Sequence, residues 1–192
     1  FKDNRYNIIL KARQLGISTL SAGYSLWLML FHNDKNVLVI ATGKETAKNL
    51  VTKVRVMYEG LPQWLKTGTE EINKLSLRFK NGSQIKAIAS NESAGRSEAL
   101  SLLIIDEAAF IDRIDTIWTA AQQTLATGGG CIALSTPNGV GNWFHKQWLG
   151  AEEGTNQFNT IRLHWTDHPD RDESWRKEQD KILGPSQAAQ EC

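Results

Sequence analysis

The 192 residues are enough for one well-buried α/β domain with a small appendage, and too few for two full-sized domains. Apolar residues make up 41% and charged ones 22%, which excludes long disorder, because that much apolar surface can offset the entropy of ordering the chain. With 22 basic and 21 acidic side chains the formal charge is +1, so no global field draws the chain to polyanions and any contact with nucleic acid must rest on a local basic patch.

Tyr6-Asn7-Ile8-Ile9-Leu10, ending at Lys11, predicts a first strand. Residues 18–31 carry Leu20, Tyr24, Trp27, Leu28 and Phe31 at helical spacing and predict the helix that follows. Val37-Leu38-Val39-Ile40 is a second strand, and residues 44–58 a second helix, with Ala47, Leu50, Val51, Val54 and Tyr58 on one face. Leu75-Ser76-Leu77-Arg78-Phe79 alternates outward and Gln84-Ile85-Lys86-Ala87-Ile88-Ala89 alternates back. Asn81-Gly82 between them predicts an inserted β-hairpin closed by a type I′ turn, since both residues tolerate positive φ. Residues 90–98 are polar and read as a loop. Leu102-Leu103-Ile104-Ile105 is a strong strand, residues 114–125 a helix stopped by Gly128-Gly129-Gly130, and Ile132-Ala133-Leu134 another strand. Residues 143–149 predict a helix, 158–165 a late strand and 172–183 a charged helix. Gly184-Pro185 breaks that helix before a further one over 186–192. Continuous apolar strands alternating with amphipathic helices predict an α/β fold, a mostly parallel sheet with helices on both faces.

Cys131 and Cys192 are too few for a disulfide framework and neither sits in a C-x-x-C pair, which fits a reducing cytosol. The most apolar stretch, residues 24–31, falls far short of the roughly 20 residues that span a bilayer, and nothing points to a membrane. The chain opens on Phe1, close ahead of a strand, and reads as cut from a longer protein. His164, Asp167, His168, Asp170 and Asp172 offer metal-ligating types, but Pro169 argues against a helix there and for a solvated loop. The seven Trp residues read mainly as core, with Trp143 and Trp148 as possible lining of a protein contact.

In open α/β sheets ligands collect beyond the carboxyl ends of the strands. After the first strand comes Lys11-Ala12-Arg13-Gln14-Leu15-Gly16-Ile17-Ser18-Thr19, a loop opening a helix. Such a loop aims unpaired backbone N–H groups at one spot, and Gly16 allows close approach of a phosphate. The match to G-x-x-x-x-G-K-[ST] is partial: Lys11 stands in place of the first Gly and Ile17 in place of the Lys. Lys11 or Arg13 would have to supply the missing cation, and the alternative is a basic turn with Ser18 as helix N-cap. Asp106 and Glu107 stand at the mouth of the Leu102–Ile105 strand, with neighbouring side chains on opposite sides of the backbone. Asp106 suits Mg²⁺ and Glu107 suits activating a water, whereas the alternative has both capping the next helix. Ser135-Thr136-Pro137-Asn138-Gly139 ends the next strand with groups able to sense a γ-phosphate, or with an ordinary turn.

These three segments, in this order and spacing, resemble the ATPase domain of the large terminase subunit of tailed bacteriophages. The resemblance covers nearly the whole chain. It implies a RecA-like P-loop ATPase of the ASCE type that binds ATP and Mg²⁺ and drives double-stranded DNA into a prohead. The implied partners are the portal protein, the small terminase subunit and further copies in a ring, in the host cytoplasm during virion assembly. It implies that Arg13, Gln14, Leu15, Gly16, Ile17, Ser18 and Thr19 form the Walker A segment, with Lys11 as its displaced lysine and Ser18 as the Mg²⁺-facing hydroxyl. Asp106 matches the Walker B carboxylate, Glu107 the catalytic base, and Ser135, Thr136 and Pro137, with Asn138, the coupling motif. Arg96 in Ser93-Ala94-Gly95-Arg96-Ser97 matches an arginine finger acting on the neighbouring subunit, with Arg13 the competing candidate from its own loop. Residues 1–165 would be the ATPase core and 166–192 the start of a subdomain leading to a nuclease domain. The acids of that nuclease and the family's adenine-holding residues have no match here, so cutting DNA is not assigned to this chain. Asp106-Glu107-Ala108-Ala109 and Ser135-Thr136 also resemble superfamily 2 helicases, which Ile17 contradicts. A non-catalytic nucleotide-fold docking module is favoured by Ile17 and opposed by Glu107.

Overall fold

A computed structural model describes residues 1–90 and 99–191. Strand β1 (Tyr6–Lys11) leads into helix α1 (Ile17–Phe31), and β2 (Asn36–Ala41) into α2 (Lys44–Glu59). An excursion through β3 (Thr69–Ile72), β4 (Ser76–Phe79) and β5 (Gln84–Ala89) follows. Then come β6 (Leu102–Asp106), α3 (Ile114–Leu125), β7 (Gly130–Ser135), α4 (Trp143–Glu152), β8 (Phe158–Leu163), α5 (Glu173–Leu183) and α6 (Pro185–Glu191). The strands form one 8-stranded sheet in the order β3-β4-β5-β2-β6-β7-β1-β8. β5, β2, β6, β7, β1 and β8 run parallel, while β4 is antiparallel to both β3 and β5.

Alternation along the central strands divides the core in two. Ile8, Leu103, Ile105 and Ala133 face α3 and α4, where they meet Ile114, Ile117, Trp118, Leu125, Trp143 and Phe144. Ile9, Leu102, Ile104, Ile132 and Leu134 face α1 and α2 and meet Leu26, Met29, Leu50 and Val54. Burial of each such aliphatic side chain contributes about 1.5–3 kcal/mol, so truncating Ile104, wholly out of solvent, to Ala costs about 2–5 kcal/mol. The same period carries Lys11, two residues past Ile9, and Asp106, two past Ile104, onto the α1 side of the sheet. The sheet thus delivers an ammonium and a carboxylate to one rim.

Four local features differ from the sequence expectation. The hairpin turn is not type I′: only Gly82 has positive φ, at 80°, and Phe79 N–H donates to Ser83 O across a loop of Lys80, Asn81 and Gly82. Asn81 keeps ordinary backbone because its side chain is spent elsewhere, its amide donating to Met29 O at the end of α1 and its Oδ1 accepting from Ser83 N–H. The edge strand β3 has no apolar alternation in Thr69-Glu70-Glu71-Ile72; backbone pairing to β4 and the Glu70–Arg78 ion pair at 3.1 Å hold it, and its charges suit an exposed edge. Gly129 does more than stop a helix, since a Cβ there would stand 2.0 Å from the Leu100 carbonyl. Among the tryptophans, Trp118, Trp143 and Trp165 are buried but Trp64 is 82% exposed. No helix among the described residues is long and apolar enough to cross a membrane.

Candidate active site

The loop from β1 to α1 bends through two left-handed residues, Gln14 at φ 60° and Gly16 at φ 77°. Gly16, and not Ser18, is the N-cap of α1, and no side chain caps this end. The capping alternative for Ser18 is therefore overturned: its hydroxyl turns to β6 and donates to Asp106 Oδ2 at 3.3 Å. Ile17 packs its side chain against the α1-side core, which explains an apolar residue where a phosphate-loop lysine would stand. Among the described residues no side chain caps the start of α1, which leaves its first amide groups to an anion.

Lys11 points into the same corner. Its Nζ lies 3.0 Å from Glu107 Oε1, although Lys11 is only 7% exposed and Glu107 29%. This pairing needs a backbone that the sequence did not reveal. Strand β6 ends at Asp106, and Glu107 adopts a left-handed conformation, φ 55° and ψ 47°. Strand alternation consequently stops at Asp106, and the expectation that the two acids fall on opposite sides does not hold. The left-handed turn swings the Glu107 carboxylate over the end of β7 to Lys11, while Asp106 reaches Ser18. Neither carboxylate caps a helix: the 3-10 turn at Ala108–Phe110 has no side-chain cap, and α3 begins after Arg113.

The end of β7 grips the other side of Glu107. Its Oε2 accepts from the Thr136 backbone N–H at 3.3 Å, with the Ser135 and Thr136 hydroxyls each 3.5 Å away. Ser135 Oγ also accepts from Ala109 N–H at 3.2 Å, and the Asn138 amide donates to Ala109 O at 3.0 Å. Pro137 sits half-buried between them. Residues 107–109 are thus tied to the strand that separates β6 from β1.

Asp106 is 6% exposed. Burial first, and then the neighbouring Glu107 charge, raise its pKa above the ordinary carboxylate value, while Lys11 and the Ser18 hydroxyl pull the other way. A buried carboxylate held in this way is stabilised by a cation. The pair of oxygen donors, Asp106 carboxylate and Ser18 hydroxyl, suits a hard divalent ion such as Mg²⁺.

Not every residue singled out in the sequence turns inward. The Arg13 side chain is exposed, and its carbonyl accepts from Arg171 Nη1 at 2.9 Å. The Thr19 hydroxyl accepts from Lys53 Nζ at 3.0 Å, and Leu15 is half-buried. Arg96 lies outside the described residues. Lys53 reaches the first turn of α1 and Arg171 the loop before it, both from distant parts of the chain, and no local pattern in the sequence marks either.

A family model described as terminase large subunit, T4likevirus-type, N-terminal, matches residues 8–191. The chain belongs to the terminase large subunits. The probable terminase large subunit gp28 of Escherichia phage Mu is 26% identical to it over 168 residues, covering 80% of this chain and 30% of that relative. The ATPase domain of the large terminase of Thermus phage P74-26 superposes with a TM-score of 0.78 at 23% identity, over 98% of this chain and 87% of that one. The large terminase of another thermophilic bacteriophage, in complex with ADP, superposes with a TM-score of 0.72 at 13% identity, over 94% and 46%. The terminase chain shares the RecA-like fold of these ATPase domains, with the loop after β1 and the acids after β6 on one rim of the sheet.

Proposed function

We propose that this terminase chain hydrolyses ATP with Mg²⁺ and that hydrolysis drives double-stranded viral DNA into a prohead. One observation carries the reading: Lys11, Ser18, Asp106 and Glu107 converge beside a left-handed glycine loop that opens a helix. Phosphoryl transfer to water needs a charge clamp on the phosphates and an oriented nucleophile, and these residues can supply both.

In this reading the loop amides around Gly16 and the Lys11 ammonium hold the β- and γ-phosphates of ATP. Ser18 and Asp106 would hold Mg²⁺, which when bound neutralises charge on the phosphate oxygens. A γ-phosphate within reach of Lys11 competes with Glu107 for the ammonium and releases Oε1. Glu107 then takes a proton from a water whose oxygen bonds to the γ-phosphorus. The bond from that phosphorus to the β–γ bridging oxygen breaks, and ADP and inorganic phosphate leave. Thr136 N–H and the Ser135 hydroxyl, on the other side of Glu107, would pass the change to β7 and the turn after it. Arg13, from its own loop, or Arg96, across a subunit boundary, would steady the transition-state charge. The motor would act as a ring on the portal protein with the small terminase subunit, in the host cytoplasm during assembly.

Residues 1–165 would form the ATPase core and the helices beyond it a linking subdomain. The rival reading, a docking module without catalysis, has Ile17 in its favour, but Lys11 offers the charge that Ile17 lacks. The deciding experiment is Glu107→Gln in the full-length protein. ATP turnover should vanish while Mg²⁺-dependent ATP binding persists, and unchanged turnover would refute the role of Glu107.

A further inference from the structure

The structure assigns Arg171, which lies between β8 and α5 and far from the phosphate loop in sequence, as a positioning residue for that loop. The inference rests on the reading of residues 11–19 as a triphosphate cradle. Arg171 Nη1 donates to the carbonyl of Arg13 at 2.9 Å, and its guanidinium lies 4.5 Å from the centre of the Trp175 ring. Trp175 is itself held. Its backbone N–H donates to the capping carboxylate of Asp172 at 2.8 Å, and its ring tilts against that of buried Trp165 at 5.9 Å between centroids. A continuous path therefore runs from the end of β8 through Trp165, Trp175 and Arg171 to one peptide unit of the loop.

That peptide is the one whose orientation decides what the loop can bind. There are no cis peptide bonds among the described residues, and in a trans peptide the C=O and the following N–H point in opposite directions. Drawing the Arg13 carbonyl toward Arg171 therefore turns the Gln14 N–H to the side opposite Arg171. Gln14 sits at φ 60°, a conformation a non-glycine residue keeps only where its surroundings impose it, and Gly16 follows at φ 77°. Alternation of right- and left-handed residues is the backbone arrangement that gathers successive N–H groups around an anion. Arg171 supplies a charge-assisted hydrogen bond that fixes the first of these turns, and stacking on Trp175 limits its own freedom. Arg171 does not need to touch nucleotide to act, because it works through the Gln14 amide.

The test uses the full-length protein, with Mg²⁺-ATPγS and inorganic triphosphate as probes and calorimetry as the readout. Arg171→Ala should weaken both ligands about tenfold or more, by loss of a hydrogen bond to a charged donor, with the two affected alike because the defect lies in the phosphate cradle. In turnover, KM for ATP should rise while kcat falls little. Arg171→Lys, which keeps a donor, should recover part of the affinity, and Trp175→Ala should lie between wild type and Arg171→Ala. Lys181→Ala, at an exposed position of α5, should bind like wild type. Equal affinities for wild type, Arg171→Ala and Trp175→Ala would overturn the inference, as would a loss in kcat alone. If Arg171→Ala does not fold, Arg171→Lys and Trp175→Ala decide by the same criterion. A wild-type protein that binds neither probe would overturn the triphosphate reading itself, and this inference with it.

Discussion

Lys11 at the end of β1 and Glu107 after β6 form an ion pair at 3.0 Å that spans β7, the strand lying between theirs. Three parallel strands must be in register for this to occur, and a left-handed residue must interrupt the third. The pair ties the cation proposed for the phosphates to the carboxylate proposed for the water, so each controls the other's availability.

The first prediction concerns where the phosphate charge comes from. Lys11→Ala should lower kcat/KM for ATP by about a hundredfold or more, the scale of removing one preorganised charge donor from a reacting site. Ile17→Ala should leave catalysis nearly intact and cost about 1–3 kcal/mol of stability, because Ile17 is half-buried and packs on the α1-side core. Steady-state kinetics and urea denaturation of the two variants check this. The reverse order in kinetics would mean that the cation lies elsewhere.

The second prediction follows from the burial of Asp106. Its folded pKa is raised by burial and by Glu107, so the folded state binds this proton more tightly than the unfolded chain does. Stability from this group is therefore fully present below the ordinary carboxylate pKa and is lost as pH rises through the raised value. In protein stripped of nucleotide and divalent ions, Asp106→Asn should melt higher than wild type at pH 7, with the difference shrinking as pH falls to the ordinary carboxylate range. The same variant should lose Mg²⁺-dependent turnover. A wild type that is the more stable of the two at pH 7 would show that Asp106 gains more from Lys11 and Ser18 than burial costs it.

What the sequence disclosed and what it withheld divide along a physical line. The apolar runs of β1, β2, β6 and β7 are buried on both faces, so their composition alone marks them, and their carboxyl ends located Lys11, Asp106 and Ser135. Helices α1 and α2 show in the sequence by their period. Edge strand β3 did not, because its stability is backbone pairing and its side chains face water. Backbone conformations set by tertiary contacts were also invisible. Asn81 before Gly82 reads as a type I′ residue, but its amide is held by Met29 O, and Glu107 reads as a further strand residue, but its φ is 55°. The contacts of Lys53 with α1 and of Arg171 with the loop before it arise from packing between elements distant in sequence, which one sequence does not encode as a local pattern.

The last prediction separates two neighbouring hydroxyls at the end of β7. Ser135 is completely buried, and its Oγ satisfies the Ala109 backbone N–H at 3.2 Å. Ser135→Ala leaves that N–H unpaired inside the protein, at a cost of about 1–3 kcal/mol. The Thr136 hydroxyl reaches Glu107 only at 3.5 Å, longer than an ordinary O–H···O bond, while its backbone N–H makes the 3.3 Å contact and survives any substitution of the side chain. Thr136→Val should therefore disturb Glu107 less than Ser135→Ala does. Left-handed backbone at Glu107 costs about 1–2 kcal/mol and persists because Ser135 and Asn138 clamp the residues just after it. Releasing one clamp should let the carboxylate wander, lowering kcat about tenfold with little change in KM, since no phosphate-binding group is touched. Chemical denaturation and steady-state turnover of both variants test the order. If Thr136→Val is the more damaging in kcat, the hydroxyl and not the strand end is what holds the base.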